Sequence, residues 1–142
     1  MYKQIIRKVA LILAVTLIMS TSAFAIDIHA SSRISRSSAR VRVGNNGELW
    51  VYFSITASST MDDIGASEIA IQRYNGSRWA TECTLTSADE PDIQTQNAIR
   101  HSATVSYTPQ YSGYAYRAVV FVYATNSSGT STTSATSTQV II

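Results

Sequence analysis

Residues 114–129 read YAYRAVVFVYATNSSG, and this stretch decides the class of fold. Valine, alanine and aromatic residues dominate it, a composition that suits a pleated strand. It ends in the turn NSSG, residues 126–129, whose asparagine and glycine tolerate the backbone angles of a tight hairpin. A strand that runs directly into such a turn predicts an antiparallel β-protein.

The same pattern extends through the chain after residue 25. Serine and threonine alternate with β-branched and aromatic residues, no sustained helical period is present, and turn residues recur at Gly44–Gly47 and Asn75–Ser77. The pattern therefore predicts an all-β fold, an antiparallel sandwich of about seven strands. The predicted strands are Ser35–Val43, Glu48–Ala57, Ser67–Tyr74, Arg78–Thr86, Ile99–Thr108, Tyr114–Thr125 and Ser131–Ile142.

Alternation assigns the side chains of these strands to two faces. On the second strand it predicts that Val51, Phe53, Ile55 and Ala57 face the core and that Trp50, Tyr52, Ser54 and Thr56 face outward. On the sixth strand it predicts that every second residue from Tyr116 faces inward, namely Tyr116, Ala118, Val120, Val122 and Ala124. Trp79 alternates with Cys83 and Leu85, which predicts a large core residue whose truncation to alanine costs about 3–5 kcal/mol.

Two connections are predicted to be irregular. Asp62 and Asp63 are assigned to a turn before Ile64, and the acidic segment Ser87–Ala98 is assigned to a surface loop that crosses between the sheets. The acids of Asp89–Asp92 lack the regular ligand spacing of a calcium loop, which favours a solvated loop.

Two segments resemble a known class of domains. GYAYRAVV, residues 113–120, and ATNSSG, residues 124–129, resemble the F strand and F–G turn of fibronectin type III and related immunoglobulin-like domains. In those domains a glycine precedes a corner tyrosine, alternating apolar residues follow, and an Ala-x-Asn-x-x-Gly turn leads to the last strand. The resemblance implies an immunoglobulin-like sandwich.

From about Val51 to its end, the chain also resembles small secreted bacterial proteins, of the kind found in Clostridia-type organisms, that form a domain family of unknown function. That resemblance implies no catalytic residue. The residues that carry it are TMDDIGA at 60–66, IAIQR at 69–73, Trp79, YRAVV at 116–120 and NSSG at 126–129.

The first 25 residues have the layout of a secretory signal peptide. A basic start that includes Lys3 and Arg7 precedes the apolar run Val9–Met19, and small residues flank the expected cleavage site after Ala25. The apolar run is shorter than the roughly 20 residues that a membrane span needs. We therefore expect a secreted protein with no membrane span after cleavage.

The mature chain is expected to comprise a flexible segment, 26–34, and one β-sandwich domain, 35–142. It carries eight arginines and nine acidic residues, a formal charge of −1. Nucleic acid is therefore not expected as a partner, because phosphate binding needs a basic stripe. The group of residues most similar to a basic stripe is the run Arg33, Arg36, Arg40 and Arg42. This run is interpreted as the solvated side of a strand, and contact with an anionic cell-wall polymer or membrane surface is the alternative.

Few side chains suggest chemistry. The single cysteine, Cys83, excludes an intramolecular disulfide, and its strand position predicts a buried, inert thiol. His29 and His101 have no neighbour at metal-ligand spacing. We therefore expect no catalytic residue, metal site or cofactor, and no enzyme.

Outward aromatic residues are the strongest remaining candidates. If the third and sixth strands are neighbours, Tyr74, Arg117, Phe121 and Tyr123 form an exposed patch suited to a sugar face or a protein anchor. Cover by a neighbouring loop is the alternative. The expected function is a secreted, non-catalytic interaction module that binds an unknown protein or a cell-envelope polysaccharide. The alternatives are a carbohydrate-binding module for envelope polysaccharide and a small secreted enzyme inhibitor or hydrolase.

Overall fold

The computed structural model describes residues 33–142, and the predicted signal peptide lies outside them. Within this part of the chain, the predicted all-β antiparallel fold is confirmed, with seven strands in one connected sheet. A short 3₁₀ helix spans Pro91–Ile93. The strands are β1 (Ile34–Val43), β2 (Leu49–Tyr74), β3 (Trp79–Leu85), β4 (Gln94–Tyr107), β5 (Ala115–Asn126), β6 (Gly129–Thr136) and β7 (Val140–Ile141).

The long strand β2 connects the two layers of the sandwich. Its first half pairs with β1 and with the end of β4, and its second half pairs with β3, β5 and the start of β4. Strands β6 and β7 extend the second layer by pairing with β5. Because β1 packs against β5 and β6 without pairing with them, the apolar core lies between the layers.

The core contains the inward-facing residues that alternation predicted on the second and sixth predicted strands, together with residues that it did not predict, such as Met61, Ile64 and Ile93. Phe53 and Tyr116 are among the largest side chains with no exposed surface. Burial of this much apolar area is the main stabilising contribution to a domain of this size. The largest fully or almost fully buried side chains are Leu49, Val51, Phe53, Ile55, Met61, Ile64, Ile69, Ile71, Ile93, Tyr116, Val120 and Val122.

The predicted turn at Asp62 and Asp63 is wrong, because both residues lie within β2. Asp63 pairs with Gln96 on β4 and with Thr125 on β5. The register shifts on either side of this region, which marks β-bulges that let a strand bend while its pairing continues. The chain therefore passes from one layer to the other without a turn.

The prediction of a surface loop over Ser87–Ala98 is wrong for its second half. Ile93 has no exposed surface, and β4 begins at Gln94. This segment lies against Gly65, where an added Cβ would overlap the carbonyl oxygen of Ile93 and the Cα of Gln94. A glycine at position 65 thus allows the two backbones to approach closely.

The prediction that Trp79 belongs to the core is also wrong. Trp79 is half-buried and pairs with Tyr74, whose side chain is on the outer face. Cys83 and Leu85 pair with Ile71 and Ile69 and pack against the core. A bulge in β3 inserts one residue between these two groups and therefore reverses the alternation.

Candidate binding surfaces

One outer face of the sandwich combines arginines, aromatic rings and hydroxyl side chains on three neighbouring strands. We call it the arginine–aromatic face. It is formed by β1, the first half of β2 and the second half of β4. Its residues are Arg36, Ser38, Arg40, Arg42, Trp50, Tyr52, Ser54, Thr56, Arg100, Ser102, Thr104 and Ser106.

Strand register arranges this face in rows that run across the strands. Arg42 pairs with Trp50, which in turn pairs with Ser106 on the other side. The next row on the same face contains Arg40 and Tyr52. Directly opposed residues of an antiparallel pair have Cβ atoms about 4.5–5.5 Å apart, so each of these two arginine side chains leaves the sheet next to an aromatic side chain.

The two aromatic rings on this face are open to solvent. Trp50 is 47% exposed and Tyr52 is 42% exposed, whereas Val51 between them has no exposed surface. The two rings line a shallow depression of ≈ 330 Å³ together with Arg40, Arg42 and Thr104. A depression of this volume is at the lower end of the range for small-molecule sites.

The face is strongly positive although the chain after residue 25 has nine acidic residues and only eight arginines. Arg36, Arg40, Arg42 and Arg100 are all exposed, and within residues 33–142 none of them forms an ion pair. Glu48 lies at the rim of the face, immediately before β2. Its carboxylate accepts hydrogen bonds from Trp50 Nε1 at 3.1 Å and from the backbone N–H of Asn46 at 3.2 Å, which helps to fix the indole ring.

The predicted patch of Tyr74, Arg117, Phe121 and Tyr123 lies on the other layer. Its strands, β2 and β5, are neighbours as predicted, but its four residues do not form one continuous surface. Arg117 pairs with Gln72, and its guanidinium lies 4.4 Å from the ring centroid of Trp79. The Trp79 ring also contacts Tyr74, with the ring centroids 5.4 Å apart. This end of the patch is a stacked group in which three side chains partly cover each other.

The other two residues of the predicted patch differ from each other. Phe121 is 42% exposed and lies in an open depression with Ser67 and Thr132. The hydroxyl of Tyr123 donates to Asp63 Oδ1 at 2.9 Å and reaches Gln94 Oε1 at 3.1 Å. Burial and the Asp63 carboxylate raise the pKa of Tyr123 to about 12. The Tyr123 side chain therefore links β5 to β2 and β4, whereas the Phe121 ring is exposed to solvent.

A polar cluster at one end of the core surrounds Glu82. Its carboxylate binds Arg73 Nε at 2.7 Å and accepts a hydrogen bond from the Tyr107 hydroxyl at 2.9 Å. Burial alone would raise the pKa of Glu82, but the hydrogen bonds from Arg73 and Tyr107 outweigh it and hold that pKa below its usual value. The Arg73 guanidinium also contacts the rings of Tyr111 and Tyr114, 4.6 and 4.7 Å from their centroids.

The remaining polar candidates have local structural partners. The Asp89 carboxylate accepts hydrogen bonds from the backbone N–H and hydroxyl of Thr86, so it closes its own turn. Burial raises the pKa of the Cys83 thiol, and His101 Nε2 lies 2.8 Å from the carbonyl oxygen of Asp92. Within residues 33–142, no group of three or more acidic, histidine or cysteine side chains has the geometry to hold a metal ion.

The sequence pattern predicts parts of the arginine–aromatic face separately. Alternation predicts that Trp50 and Tyr52 face outward, and the arginine run near the start of the predicted domain contains three of the four arginines. The hairpin at Gly44–Gly47 was a signal that Arg42 lies opposite Trp50. No local feature of the sequence predicts that Arg100 lies on this face, because its position depends on pairing between β2 and β4, which are distant along the chain. Arg33, which was grouped with the others, binds Asn126 Oδ1 at 2.9 Å instead.

Comparison of the chain with models of protein families, with curated proteins and with solved structures finds no match. None of the helical segments within residues 33–142 has the length and apolar character needed to cross a bilayer.

Proposed function

We propose that this chain is a secreted, non-catalytic interaction module that binds an extracellular polysaccharide through the arginine–aromatic face. The observation that carries the proposal is the pair Trp50 and Tyr52, exposed side by side on a rigid strand and lining one depression. Exposed aromatic area on a small domain commonly marks a binding site. Flat rings suit the apolar faces of sugars, and neighbouring hydroxyls and guanidinium groups supply directional hydrogen bonds.

The scaffold is proposed to be immunoglobulin-like. The hydroxyl of Tyr116 donates to the carbonyl oxygen of Tyr111 at 3.0 Å, five residues upstream. A corner tyrosine in immunoglobulin-like sandwiches makes the same kind of bond to the backbone a few residues before it. This bond supports the likeness to fibronectin type III and related immunoglobulin-like domains.

Of the alternatives, a protein partner would use the same exposed aromatic residues. A hydrolase would need free titratable groups that converge in a cleft. The most extensive titratable cluster among the described residues surrounds Glu82, whose carboxylate is bound by Arg73 and Tyr107. The geometry of that cluster supports a role in holding strands together, so polysaccharide binding is the function that we favour.

The test is affinity electrophoresis of the purified protein in gels that contain soluble neutral or acidic polysaccharides. We expect at least one polysaccharide to retard the protein, and Trp50→Ala and Tyr52→Ala to weaken that binding about tenfold or more, as for a central aromatic contact. Phe121→Ala is the matched control, because Phe121 is exposed to the same degree as Tyr52 but lies on the other layer.

Two results would overturn the proposal. One is the absence of binding to every polysaccharide in the panel. The other is retained binding by the Trp50→Ala and Tyr52→Ala variants, both shown by their unfolding curves to be folded. Loss of binding in Phe121→Ala alone would assign the site to the second layer.

A further inference from the structure

We infer that the polysaccharide bound by the arginine–aromatic face is a polyanion whose carboxylates are attached to the sugar rings themselves. The inference rests on the proposed function and names its ligand class. Half of the eight arginines that follow residue 25 lie on this face, and none of its twelve positions is acidic. A face of this charge attracts a polyanion over a distance of about one Debye length.

The spacing within the rows defines where the ligand must carry its charge. Arg42 is the direct cross-strand partner of Trp50, and Arg40 is that of Tyr52. A ligand that stacks on a ring and pairs with the neighbouring guanidinium therefore needs an anion within a few ångströms of its stacking surface. A ring-attached carboxylate meets this requirement and also fits the bidentate geometry of arginine.

The length of the face indicates a polymer rather than a single sugar. Thr56 follows Trp50 by six positions along β2, which corresponds to about 20 Å of extended strand. Arg36 and Arg100 flank Thr56 at that far end. Between the two charged ends, the hydroxyls of Ser38 and Ser54 lie 3.0 Å apart. The ligand thus runs along the strands, with anion contacts near both ends and hydroxyl contacts in the middle.

Single-stranded nucleic acid is the competing polyanion, since it also combines charge with stacking surfaces. In a nucleotide, however, the sugar separates the phosphate from the base that stacks. Arg42 and Arg40 are the direct cross-strand partners of Trp50 and Tyr52, and this close spacing of the residues favours a charge on the stacking unit itself. We therefore commit to a carboxylated polysaccharide and make nucleic acid an outcome of the test.

The experiment compares two polymers with one backbone. The affinity of the purified protein is measured for polygalacturonate and for its methyl ester, in which the same chain has lost its charge. We expect the carboxylate form to bind about tenfold tighter or more, with an affinity that falls as salt is added. Arg40→Gln and Arg42→Gln should each reduce that affinity about tenfold, in line with loss of a charge-assisted pair.

Arg78→Gln is the matched control, because Arg78 is an exposed arginine at the turn between β2 and β3, away from the face. It should bind as the unaltered protein does. The paired substitutions Arg36→Gln and Arg100→Gln should weaken binding of the polymer more than binding of the galacturonate disaccharide, which is too short to span both ends.

The outcomes separate this inference from the proposed function. Equal affinity for polygalacturonate and its ester, with binding still lost in Trp50→Ala, would overturn the inference and leave polysaccharide binding in place. Affinity for an oligothymidylate equal to or above that for polygalacturonate would overturn it in favour of nucleic acid. Binding that depends on neither the rings nor the arginines would overturn both.

Discussion

Arg117 places its guanidinium 4.4 Å from the centroid of the Trp79 ring, and both side chains lie on the outer face of the second layer. The contact helps to explain why a tryptophan at an exterior position is only partly exposed. A cation over an aromatic face contributes about 0.5–1 kcal/mol at an exposed site. The arrangement changes the expected importance of Trp79 for stability.

Trp79→Ala is therefore expected to cost about 1–2 kcal/mol, because the ring loses partial burial and one cation–π contact. Phe53→Ala, at a core position with no exposed surface, should cost about 3–5 kcal/mol. Urea unfolding of both variants measures the difference. Equal losses would mean that Trp79 contributes as a core residue, in agreement with the alternation seen in the sequence.

The fold could be predicted from the sequence wherever a regular period-two pattern decides it. Alternation correctly assigned the faces of β2 around Phe53 and of β5 around Tyr116, and the turn residues located the hairpins. It failed at Trp79 because the bulge in β3 adds one residue, and one residue exchanges the faces. Nothing in the local composition distinguishes that extra residue from its neighbours.

The candidate site was less predictable, because it is formed by pairing between distant segments. The position of Arg42 opposite Trp50 follows from the hairpin between β1 and β2, because these two strands are consecutive along the chain. Arg100 joins them only because β4 pairs with the first half of β2. The same applies to Asp63, which looked like a turn residue but has strand partners on both sides.

Glu82→Gln should reduce stability and also change its dependence on acid. The carboxylate, whose side chain is 11% exposed, binds Arg73 and Tyr107, and loss of such charge-assisted bonds costs about 1–3 kcal/mol. Its pKa is lower in the folded protein than the ordinary value of 4.5. The stabilisation is therefore fully present above pH 4.5 and is lost as the pH falls through the folded-state pKa.

Urea unfolding as a function of pH tests this prediction. Between about pH 6 and pH 3, the unaltered protein should lose stability relative to Glu82→Gln, so that the two curves converge in acid. Asp62→Asn, at an exposed carboxylate, is the control and should run parallel to the unaltered protein. Curves for Glu82→Gln and the unaltered protein that stay parallel would contradict a stabilising role of the ionised carboxylate.

Gly65→Ala is expected to destabilise the domain by about 1–3 kcal/mol, the usual cost of forcing atoms into a packed site. The new Cβ would overlap backbone atoms of Ile93 and Gln94, and backbone in a strand cannot move away cheaply. Gly44→Ala is the control. There the three atoms nearest the added Cβ belong to the flexible side chain of Glu48, so the loss measured by urea unfolding should be well below that of Gly65→Ala.

Phe121 and Tyr123 are both outward on β5, yet their substitutions should have different effects. Phe121→Ser removes an exposed ring and should change the free energy of unfolding by less than about 1 kcal/mol, as a surface substitution does. Tyr123→Phe removes the hydroxyl that bonds to Asp63 and Gln94 and should cost about 1 kcal/mol by itself. Tyr123→Ser, which also removes the ring, should cost more than either.

Alkaline unfolding provides an independent check on Tyr123. Its pKa is raised from 10.0 to about 12 in the folded protein, so the unfolded chain loses this proton at lower pH than the folded protein does. The resulting stabilisation is fully present below about pH 10 and declines as the pH rises through 12. Tyr123→Phe should therefore remove part of the loss of stability between these values, while Phe121→Ser keeps it. An identical alkaline decline in the unaltered protein and in Tyr123→Phe would show that the hydroxyl does not hold β5 to its neighbours, and Tyr123 would then be as available for binding as Phe121.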